Sequence, residues 1–353
     1  MNTTGGNNIA NGLNALSSNV AGSNGTAIGY NAMQYANSQA GAFTNSNVAV
    51  GYEALRGSTT ASANTGGNNT ALGYQALLSN STGGNNTANG YYALQFNTIG
   101  INNTANGSQA LYSNTTGSGN TASGYPALFS NTTGGDNTAI GNATLFSNTT
   151  GVGNTALGAG ADVSSGALSN ATAIGSGAIV NASNKVRIGN ASVTVIEGQV
   201  AYTFPSDSRL KTDITNIDAG LEFIKKLKPV SYRMKNSTDS RANWGFIAQD
   251  IEELVGTKNM VLTIGEDSER TLGLRYSDFV APLVKAVQEQ QTQIEDLKTE
   301  NGVTKAELAQ LKMKLTQYES LSAQVDELKK LMMEKESSVP SAEKSISMGG
   351  NKR

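Results

Sequence analysis

Small and apolar residues recur at a fixed spacing over the first half of the chain. Their template reads T-A-x-G-x-x-A-L and is followed by a polar loop such as S-N-T-T-G-x-x-N. From Thr70 to Thr172 successive copies begin 17 residues apart. Earlier copies begin at Ile9, Thr26 and Val48, and where a step is 22 residues long the five additional residues fall in the polar loop. Such self-similarity indicates a stack of equivalent structural units.

A repeat of this length and composition predicts a β-solenoid. Seventeen residues are too few for a helix–turn–helix unit, and Gly, Asn and Thr are poor helix formers. Short T-A-x-G strands, with small residues inside and Gly or Asn at the corners, would instead wind tightly. About ten coils stacked ~4.8 Å apart would give a rod of roughly 50 Å, lined by hydrogen-bonded ladders of Asn and Thr. The composition alone also permits low-complexity disorder, but the strict spacing favours the solenoid.

The repeat also predicts contact between chains. Inward-facing Ala residues make a thin core for a single rod, so we expect each chain to bury its A-L face against other copies in a homotrimer. The predicted contact pairs are Ala76–Leu77, Ala93–Leu94, Ala110–Leu111 and Ala127–Leu128. Over residues 9–190 the pattern loosely resembles the β-roll heads of trimeric autotransporter adhesins and the shafts of phage tail fibres.

The pattern changes towards Pro205. Residues 184–205 lose the repeat and alternate β-branched side chains, which predicts two or three short strands that cap the rod. The chain up to Pro205 contains three basic and four acidic residues, whereas 22 basic and 23 acidic residues follow it. The second part is therefore typical of a charged globular and helical segment.

Patterning in the second part predicts an α+β region. A helical segment ends near Lys228–Pro229, a strand follows at 230–234, and N-W-G-F-I-A-Q-D-I-E-E-L-V changes from a strand into an amphipathic helix. Residues 259–279 are typical of a hairpin with a Gly-Glu-Asp turn. Ser277 or Asp278 is then the expected N-cap of a long helix.

The long helix carries a heptad pattern. Its alternating a and d positions form a mostly apolar seam, which predicts a coiled coil and self-association. The seam positions are Val280, Leu283, Val287, Gln290, Ile294, Leu297, Asn301, Thr304, Leu308, Leu311, Leu315 and Tyr318. The register then slips to Leu321, Val325, Leu328 and Met332. Asn301–Gly302 predicts a local break or a turn between two helices, and a single helix packed on its own domain is the alternative to a coiled coil.

These patterns divide the chain into five segments. They are a repeat solenoid at 1–183, a β-rich connector at 184–205, an α+β core at 206–278, a coiled coil at 279–336 and a disordered tail at 337–353. The predicted fold class is a mainly β rod, trimeric, followed by an α+β domain with a long C-terminal coiled-coil helix.

The composition excludes several kinds of site. The chain has no Cys and no His, which excludes disulfides, Cys/His metal sites and His-based catalytic triads. No cofactor and no metal is predicted. A net charge of −2 without a basic patch in the first part argues against nucleic acid as a partner. The chain contains no run of about 18 apolar residues, so membrane insertion is not predicted. No signal peptide is visible. We therefore expect synthesis in a host cytoplasm and exit by lysis or within an assembled particle.

The sequence P-S-D-S-R-L-K at 205–211 stands where the composition changes. A serine needs a base to become a nucleophile, and without His that base would be a lysine kept neutral by burial or by neighbouring cations. Ser206 and Lys211 lie five residues apart. The positive charge of Arg209 could help to keep Lys211 neutral, whereas the negative charge of Asp207 opposes this effect. From these residues alone, an ordinary surface turn and a Ser–Lys dyad both remain open.

Several motifs in order carry a family resemblance. S-D-S-R-L-K-T-D-I, L-K-P-V-S-Y-R-M-K, G-F-I-A-Q-D-I-E-E and the start of the long helix resemble the endosialidase-type intramolecular chaperone domain, which ends phage tail fibres and tailspikes. The resemblance covers about residues 206–300. It implies a domain that trimerises, guides folding of the β-rich part before it, and releases itself by autoproteolysis. Gln249 matches a motif position, where packing explains it as well as an oxyanion contact does.

The same resemblance implies roles for the residues of the turn. Ser206 is the nucleophile and new N-terminus, Lys211 is its general base, and Pro205–Ser206 is the bond that is cut. Asp207 and Arg209 match the motif and are expected to shape the turn. The implied activity is that of a single-turnover, self-cleaving serine peptidase with no other enzymatic activity.

The leading functional interpretation is a structural and adhesive fibre of a phage tail or a related extracellular contractile particle. Its expected partners are further copies of itself, a host-surface glycan or protein receptor, and other tail or baseplate proteins. A cell-surface adhesin with a permanent trimerisation domain is one alternative, and a polysaccharide-degrading tailspike is another. Glycoside hydrolysis would need two carboxylates within about 5–10 Å. The carboxylates before Pro205 are scattered singly, at Glu53, Asp136, Asp162 and Glu197.

Tyrosines recur after the T-A-x-G corner. They could stack on sugars, although packing against one another is the stronger expectation. These residues are Tyr30, Tyr52, Tyr74, Tyr91, Tyr92 and Tyr125.

Overall fold

The chain divides into two compact units. The computed structural model describes residues 4–38, 41–200, 203–235 and 241–337. The first unit comprises residues 1–213 with 227–276, and the second comprises residues 214–226 with 277–353. The first contains the repeat region and a small α/β region, and the second contains two helices.

The repeat region is a stack of short strands joined by tight turns. In chain order the strands are β1 (Ile9–Asn11), β2 (Gly22–Ser23), β3 (Thr26–Ile28), β4 (Phe43–Thr44), β5 (Val48–Val50), β6 (Thr70–Leu72), β7 (Thr87–Asn89), β8 (Thr104–Asn106), β9 (Thr121–Ser123), β10 (Thr138–Ile140), β11 (Thr155–Leu157), β12 (Asp162–Val163), β13 (Thr172–Ile174), β14 (Ile179–Val180) and β15 (Val186–Ile188). Within the described residues, eleven of them form one parallel sheet in the order β1-β3-β5-β6-β7-β8-β9-β10-β11-β13-β15. Equivalent residues pair in register, as Ala88 does with Ala105. The predicted β-solenoid is confirmed, with about ten turns.

The core of the solenoid consists of the two Ala positions and the Leu of each repeat. Ala88 at the centre of β7 and the pair Ala93–Leu94 that follows it are fully buried within the single chain. Leu94 lies in a left-handed turn with a φ of 51°, and this turn closes the coil around its side chain. The expectation that the A-L face is buried between chains is therefore wrong, because these pairs form the core of one rod.

Asparagine ladders run inside the rod. Asn114 Nδ2 donates to Asn97 Oδ1 at 2.8 Å and to the Gly117 carbonyl at 2.9 Å, and Asn131 donates to Asn114 Oδ1 at 2.8 Å. Asn120 belongs to a second ladder of the same kind. These side chains are fully buried, and they satisfy carbonyls that the tight turns leave without a backbone partner. The predicted Asn ladders are confirmed, and Thr hydroxyls bond similarly to the backbone of the next coil.

Four tyrosines stack along the outside of the rod. The rings of Tyr30, Tyr52, Tyr74 and Tyr91 follow one another face to face, with centroids 5.2, 5.0 and 5.3 Å apart. Because the faces cover each other, it is mainly the ring edges that reach solvent. The expectation that the tyrosine rings pack against one another is confirmed for these four and for Tyr92, which meets Tyr74 edge-on. It is wrong for Tyr125, which makes no ring contact among the described residues and is exposed.

The connector after the last coil differs from the prediction. Of the two or three strands expected in residues 184–205, the described residues form one, β15, which pairs with β13 and continues the solenoid. Residues 191–200 are exposed and hold no strand. Their β-branched alternation does not produce strands because, within the described residues, no further coil follows β15 to pair with them.

The remaining elements follow the expected order. They are α1 (Leu221–Lys226), β16 (Val230–Tyr232), β17 (Asn243–Gly245), α2 (Ala248–Val255), β18 (Leu262–Ile264), β19 (Leu272–Leu274) and α3 (Val280–Ser337). β16 pairs antiparallel with β17, and β18 with β19. α2 buries Ile251 and contacts the β18–β19 hairpin. The predicted strand-to-helix segment and the hairpin are both found.

The second unit is dominated by α3. A 3₁₀ turn, Tyr276–Phe279, leads into the helix, so the expected capping positions lie within that turn. α3 continues through Asn301–Gly302, where Asn301 Nδ2 donates to the Leu297 carbonyl at 3.0 Å. The expectation of a break or turn there is therefore wrong. The tail is predicted for residues 337–353, but Ser337 is the last residue of α3, and residues 338–353 lie outside the described residues. No helix of the described part is both long enough and apolar enough to cross a membrane.

Candidate functional site

A short turn brings Ser206 and Lys211 together just after the connector. Residues Ser208–Leu210 form one 3₁₀ turn, which the Lys211 N–H closes by donating to the Ser208 carbonyl at 3.1 Å. This reversal places the Lys211 Nζ atom 2.8 Å from Ser206 Oγ. The two residues of the predicted dyad are thus in hydrogen-bond contact.

Asp207 and Arg209 build this turn. The Asp207 carboxylate accepts a hydrogen bond from the Arg209 backbone N–H at 2.9 Å and pairs with the Arg209 guanidinium at 2.6 Å. Hydrogen bonds from the side chain and backbone of Arg209 lower the pKa of Asp207, and the same contact raises the pKa of Arg209. The charge of Arg209 is therefore matched by Asp207 and is not directed at Lys211.

The pair is exposed within the single chain. Ser206 and Lys211 both face solvent. A lysine accepts a proton only in its neutral form, which burial or a neighbouring cation favours. The distance between the two side chains suits proton transfer, but surroundings that exclude water have to come from outside this turn.

Gln249 is not brought to the dyad. It is the second residue of α2 and is exposed. Within the described residues, no hydrogen bond joins Gln249 to Ser206 or Lys211, whose side chains bond to each other. The buried residue of this motif is Ile251, two positions further on.

The turn of the β18–β19 hairpin lies against the last coil of the rod. The Glu266 N–H donates to the Asn181 carbonyl at 2.7 Å, and Asn181 Nδ2 donates to the Asp267 carboxylate. The Ser183 N–H donates to the Glu266 carboxylate at 3.2 Å, while Lys185 Nζ donates to Asn181 Oδ1 at 2.9 Å. Sequence reasoning missed this contact because its partners are 83 and 86 residues apart. The Gly-Glu-Asp sequence at 265–267 indicates a turn, but it does not indicate what that turn contacts.

Carboxylates of the rod lie on different coils. Glu53 follows β5, whereas Asp136 precedes β10, five coils later. At ~4.8 Å per coil these two carboxylates are about 24 Å apart along the rod. Asp162 accepts hydrogen bonds from the backbone N–H groups of Ser147 and Val163, and burial raises its pKa. The single chain therefore does not pair Glu53 with Asp136 as glycoside hydrolysis would require.

Comparison with known proteins gives one family match. A family model described as the chaperone of endosialidase, a peptidase family, matches residues 206–260. The match begins at Ser206 and includes the 3₁₀ turn, α1, β16, β17 and α2. Neither the curated proteins nor the solved structures contain a significant match. A segment that is similar to the chaperone of endosialidase, following a β-solenoid, fits a tail-fibre or endosialidase-type protein.

Proposed function

We propose that the chain is a tail-fibre-like structural and adhesive protein that matures itself. Its C-terminal region trimerises, guides folding of the rod, and then cuts the chain between Pro205 and Ser206. The observation that carries this proposal is the 2.8 Å contact between Lys211 Nζ and Ser206 Oγ. The contact lies at the junction of the β-solenoid and the segment that resembles a chaperone of endosialidase.

The cleavage chemistry uses the two side chains of the dyad. Neutral Lys211 takes the proton of the Ser206 hydroxyl, and Ser206 Oγ attacks the carbonyl carbon of Pro205. The C–N bond breaks as the Ser206 nitrogen receives the proton from Lys211, which leaves an ester between Pro205 and Ser206 Oγ. Water then hydrolyses that ester to a Pro205 carboxylate and a free Ser206 hydroxyl. Each chain reacts once because the bond is its own.

Trimerisation would support this chemistry by burying the Ser206–Lys211 dyad. Ser206 and Lys211 are exposed in one chain, whereas a general base of this kind needs a site from which water is excluded. α3 also leaves its apolar seam exposed, including Leu297 and Leu311. Parallel association of three such helices would bury the seam and raise the local concentration of the three chains, from whose contacts the burial of each dyad would come. Cleavage then reports that assembly has taken place.

The docked hairpin turn supports a chaperone role. A solenoid of nearly identical coils can pair out of register, because a shift by one whole repeat preserves every strand contact. Association of the C-terminal helices raises the local concentration of the chains. The Gly265–Asp267 turn bonds to Asn181 on the last coil, so it holds one end of the rod in place. Cutting afterwards separates the rod from this helper, and the rod is then kinetically trapped.

The rod is the part that remains and acts. We place it in the tail fibre of a virion or in a related extracellular contractile particle, attached to other tail or baseplate proteins. Its exposed side would bind a host-surface receptor. The chain would be made in the host cytoplasm and exported by lysis or within the particle.

The test is the intact mass of the purified chain, with and without boiling. Wild type should split after Pro205, whereas Ser206→Ala and Lys211→Ala should remain whole. Ser208→Ala, an exposed serine of the same turn, is the matched control and should split like wild type. A wild-type chain that is trimeric, folded and uncut would contradict self-cleavage and leave a permanent trimerisation domain.

A further inference from the structure

One coil of the rod departs from the repeat in charge. The charged side chains of residues 4–184 are Glu53, Arg56, Asp136 and Asp162. Arg56 Nη1 lies 2.8 Å from Glu53 Oε1, with 30% of the Arg56 side chain and 10% of the Glu53 side chain exposed. In the next coil the equivalent positions are the uncharged Gln75 and Leu78. The charges of Glu53 and Arg56 are therefore not required for a coil of this repeat to fold.

A polar network surrounds this ion pair. Gln75 Nε2 donates to Glu53 Oε2 at 2.6 Å, and Gln95 Nε2 donates to Gln75 Oε1 at 2.9 Å. Burial alone would raise the pKa of Glu53, but hydrogen bonds from Gln75 and Arg56, together with the charge of Arg56, lower it. Within the described residues, Arg56 Nε and Gln95 Oε1 are buried without a hydrogen-bond partner. The network thus keeps one donor and one acceptor unused.

The same coil carries one of the five-residue insertions. Its loop contains a 3₁₀ turn at Ala61–Ala63, and Asn64 braces it by accepting from the Ser58 N–H at 2.9 Å and donating to the Ser58 carbonyl at 2.8 Å. Asn64 also donates to the Tyr35 carbonyl of the preceding coil. An open groove lies between this loop and the next coils. Its polar lining is Arg56, Ser58, Thr59, Ser79, Ser81 and Thr98.

We infer that this groove binds an uncharged oligosaccharide. Hydroxyl groups both donate and accept, as the hydroxyls of a sugar do. Ser81 and Thr98 donate their protons to backbone carbonyls at 3.0 Å, which leaves their oxygens as acceptors. Arg56 supplies donors, while Glu53 compensates its charge, so an anion gains no net attraction. A braced loop is preformed, which reduces the entropy lost on binding.

This inference rests on the adhesive part of the proposed function and names its receptor class. The probe is an array of immobilised uncharged oligosaccharides of hexoses and N-acetylhexosamines, printed beside uronate-containing and sialylated counterparts. The test variant is Glu53→Gln with Arg56→Leu, which changes Y-E-A-L-R into the Y-Q-A-L-L of the next coil. Because the protein already folds with that sequence one coil later, the variant should keep its melting temperature. Tyr125→Ser, which copies Ser108 of the preceding coil, is the control.

We expect wild type and Tyr125→Ser to bind an uncharged oligosaccharide, and the double variant to lose at least tenfold in affinity. A second variant that deletes residues 58–62 restores the 17-residue coil and should lose binding in the same way. Equal binding by the double variant would overturn the groove assignment while the adhesive function stands. Binding to acidic glycans alone, or to no glycan, would overturn the ligand class. The mass test of self-cleavage is independent of all these outcomes.

Discussion

The backbone N–H of Glu266 lies 2.7 Å from the carbonyl oxygen of Asn181, so the hairpin of the C-terminal region bonds directly to the last coil of the rod. The end of a solenoid presents backbone groups without partners, much as the edge of a sheet does. The hairpin turn covers part of that end. Under the proposed self-cleavage, such a contact would belong to folding rather than to the finished rod.

Asn181→Ala should lower the yield of soluble, processed rod several-fold. The substitution removes the hydrogen bond to the Asp267 carboxylate and leaves the hairpin's own turn intact. Asn184→Ala is the control, because Asn184 bonds to Asn170 within the rod and not to the hairpin. Soluble and cleaved fractions can be measured on denaturing gels. Equal yields for the two variants would show that the bond between the Asn181 side chain and Asp267 does not assist folding.

The sequence predicts the parts of this fold that repeat. The 17-residue spacing identifies the T-A-x strands and the Asn ladders because each coil imposes the same environment on the same position. It does not reveal that Leu94 turns inward through a left-handed conformation, so the A-L face was misassigned to a contact between chains. Local motifs also identified Ser206 and Lys211, since five residues and one turn suffice to bring them together.

Contacts between distant positions are what the sequence does not predict. Asn181 and Asp267 meet only because the hairpin folds back onto the rod. The groove beside Arg56 depends likewise on how an inserted loop lies against two neighbouring coils. At Asn301–Gly302 the sequence instead predicts a feature that the structure lacks, because the local propensity of these residues indicates a break where the long helix continues.

Asn114→Ala should destabilise the rod by about 3 kcal/mol, since it leaves buried groups of neighbouring residues without partners. Asn114 bonds to Asn97 and to the Gly117 carbonyl, and it accepts from Asn131. Asn106→Ala is the control, because Asn106 belongs to an exposed ladder and should cost less than ~0.5 kcal/mol. Urea unfolding of both variants in the Ser206→Ala background measures the difference. Similar midpoints would mean that the inner ladder adds no stability.

Gly107→Ala should be one of the most damaging substitutions in the rod. Gly107 has a φ of 140°, and a Cβ there would lie 2.7 Å from the carbonyl oxygen of Gly124 in the next coil. Strain and overlap together should cost about 3 kcal/mol or more. Gly302→Ala should instead stabilise α3 by about 0.5–1 kcal/mol, because a Cβ there meets nothing within 4 Å. Circular dichroism melts compare the two, and equal effects would contradict the packing described.

Acid should weaken the rod through Glu53. Its pKa in the folded rod lies below the ordinary value of 4.5, so its contribution to stability is complete above that pH and is lost as the pH falls through the folded-state pKa. At pH 7 Glu53→Gln should melt below wild type because Arg56 loses its carboxylate partner. The difference in melting temperature should shrink as the pH falls below 4.5 and through the lowered pKa of Glu53. A difference that stays constant with pH would show that the carboxylate charge does not stabilise the rod.

Substitutions in the apolar seam of α3 test whether the chain assembles through its C-terminal helix. Leu311 occupies a core position of the heptad pattern and is 61% exposed in the single chain, while Met313, on the outer face of the same turn, is 62% exposed. Exposure alone therefore does not distinguish them, but a coiled coil would bury Leu311 and leave Met313 in water. Leu311→Lys should abolish the trimer and, with it, cleavage, whereas Met313→Lys should change neither. Light scattering after gel filtration gives the oligomeric state, and intact mass gives the cleavage. If Leu311→Lys remains trimeric and processed, assembly must come from another surface, and the rod itself becomes the place to look for it.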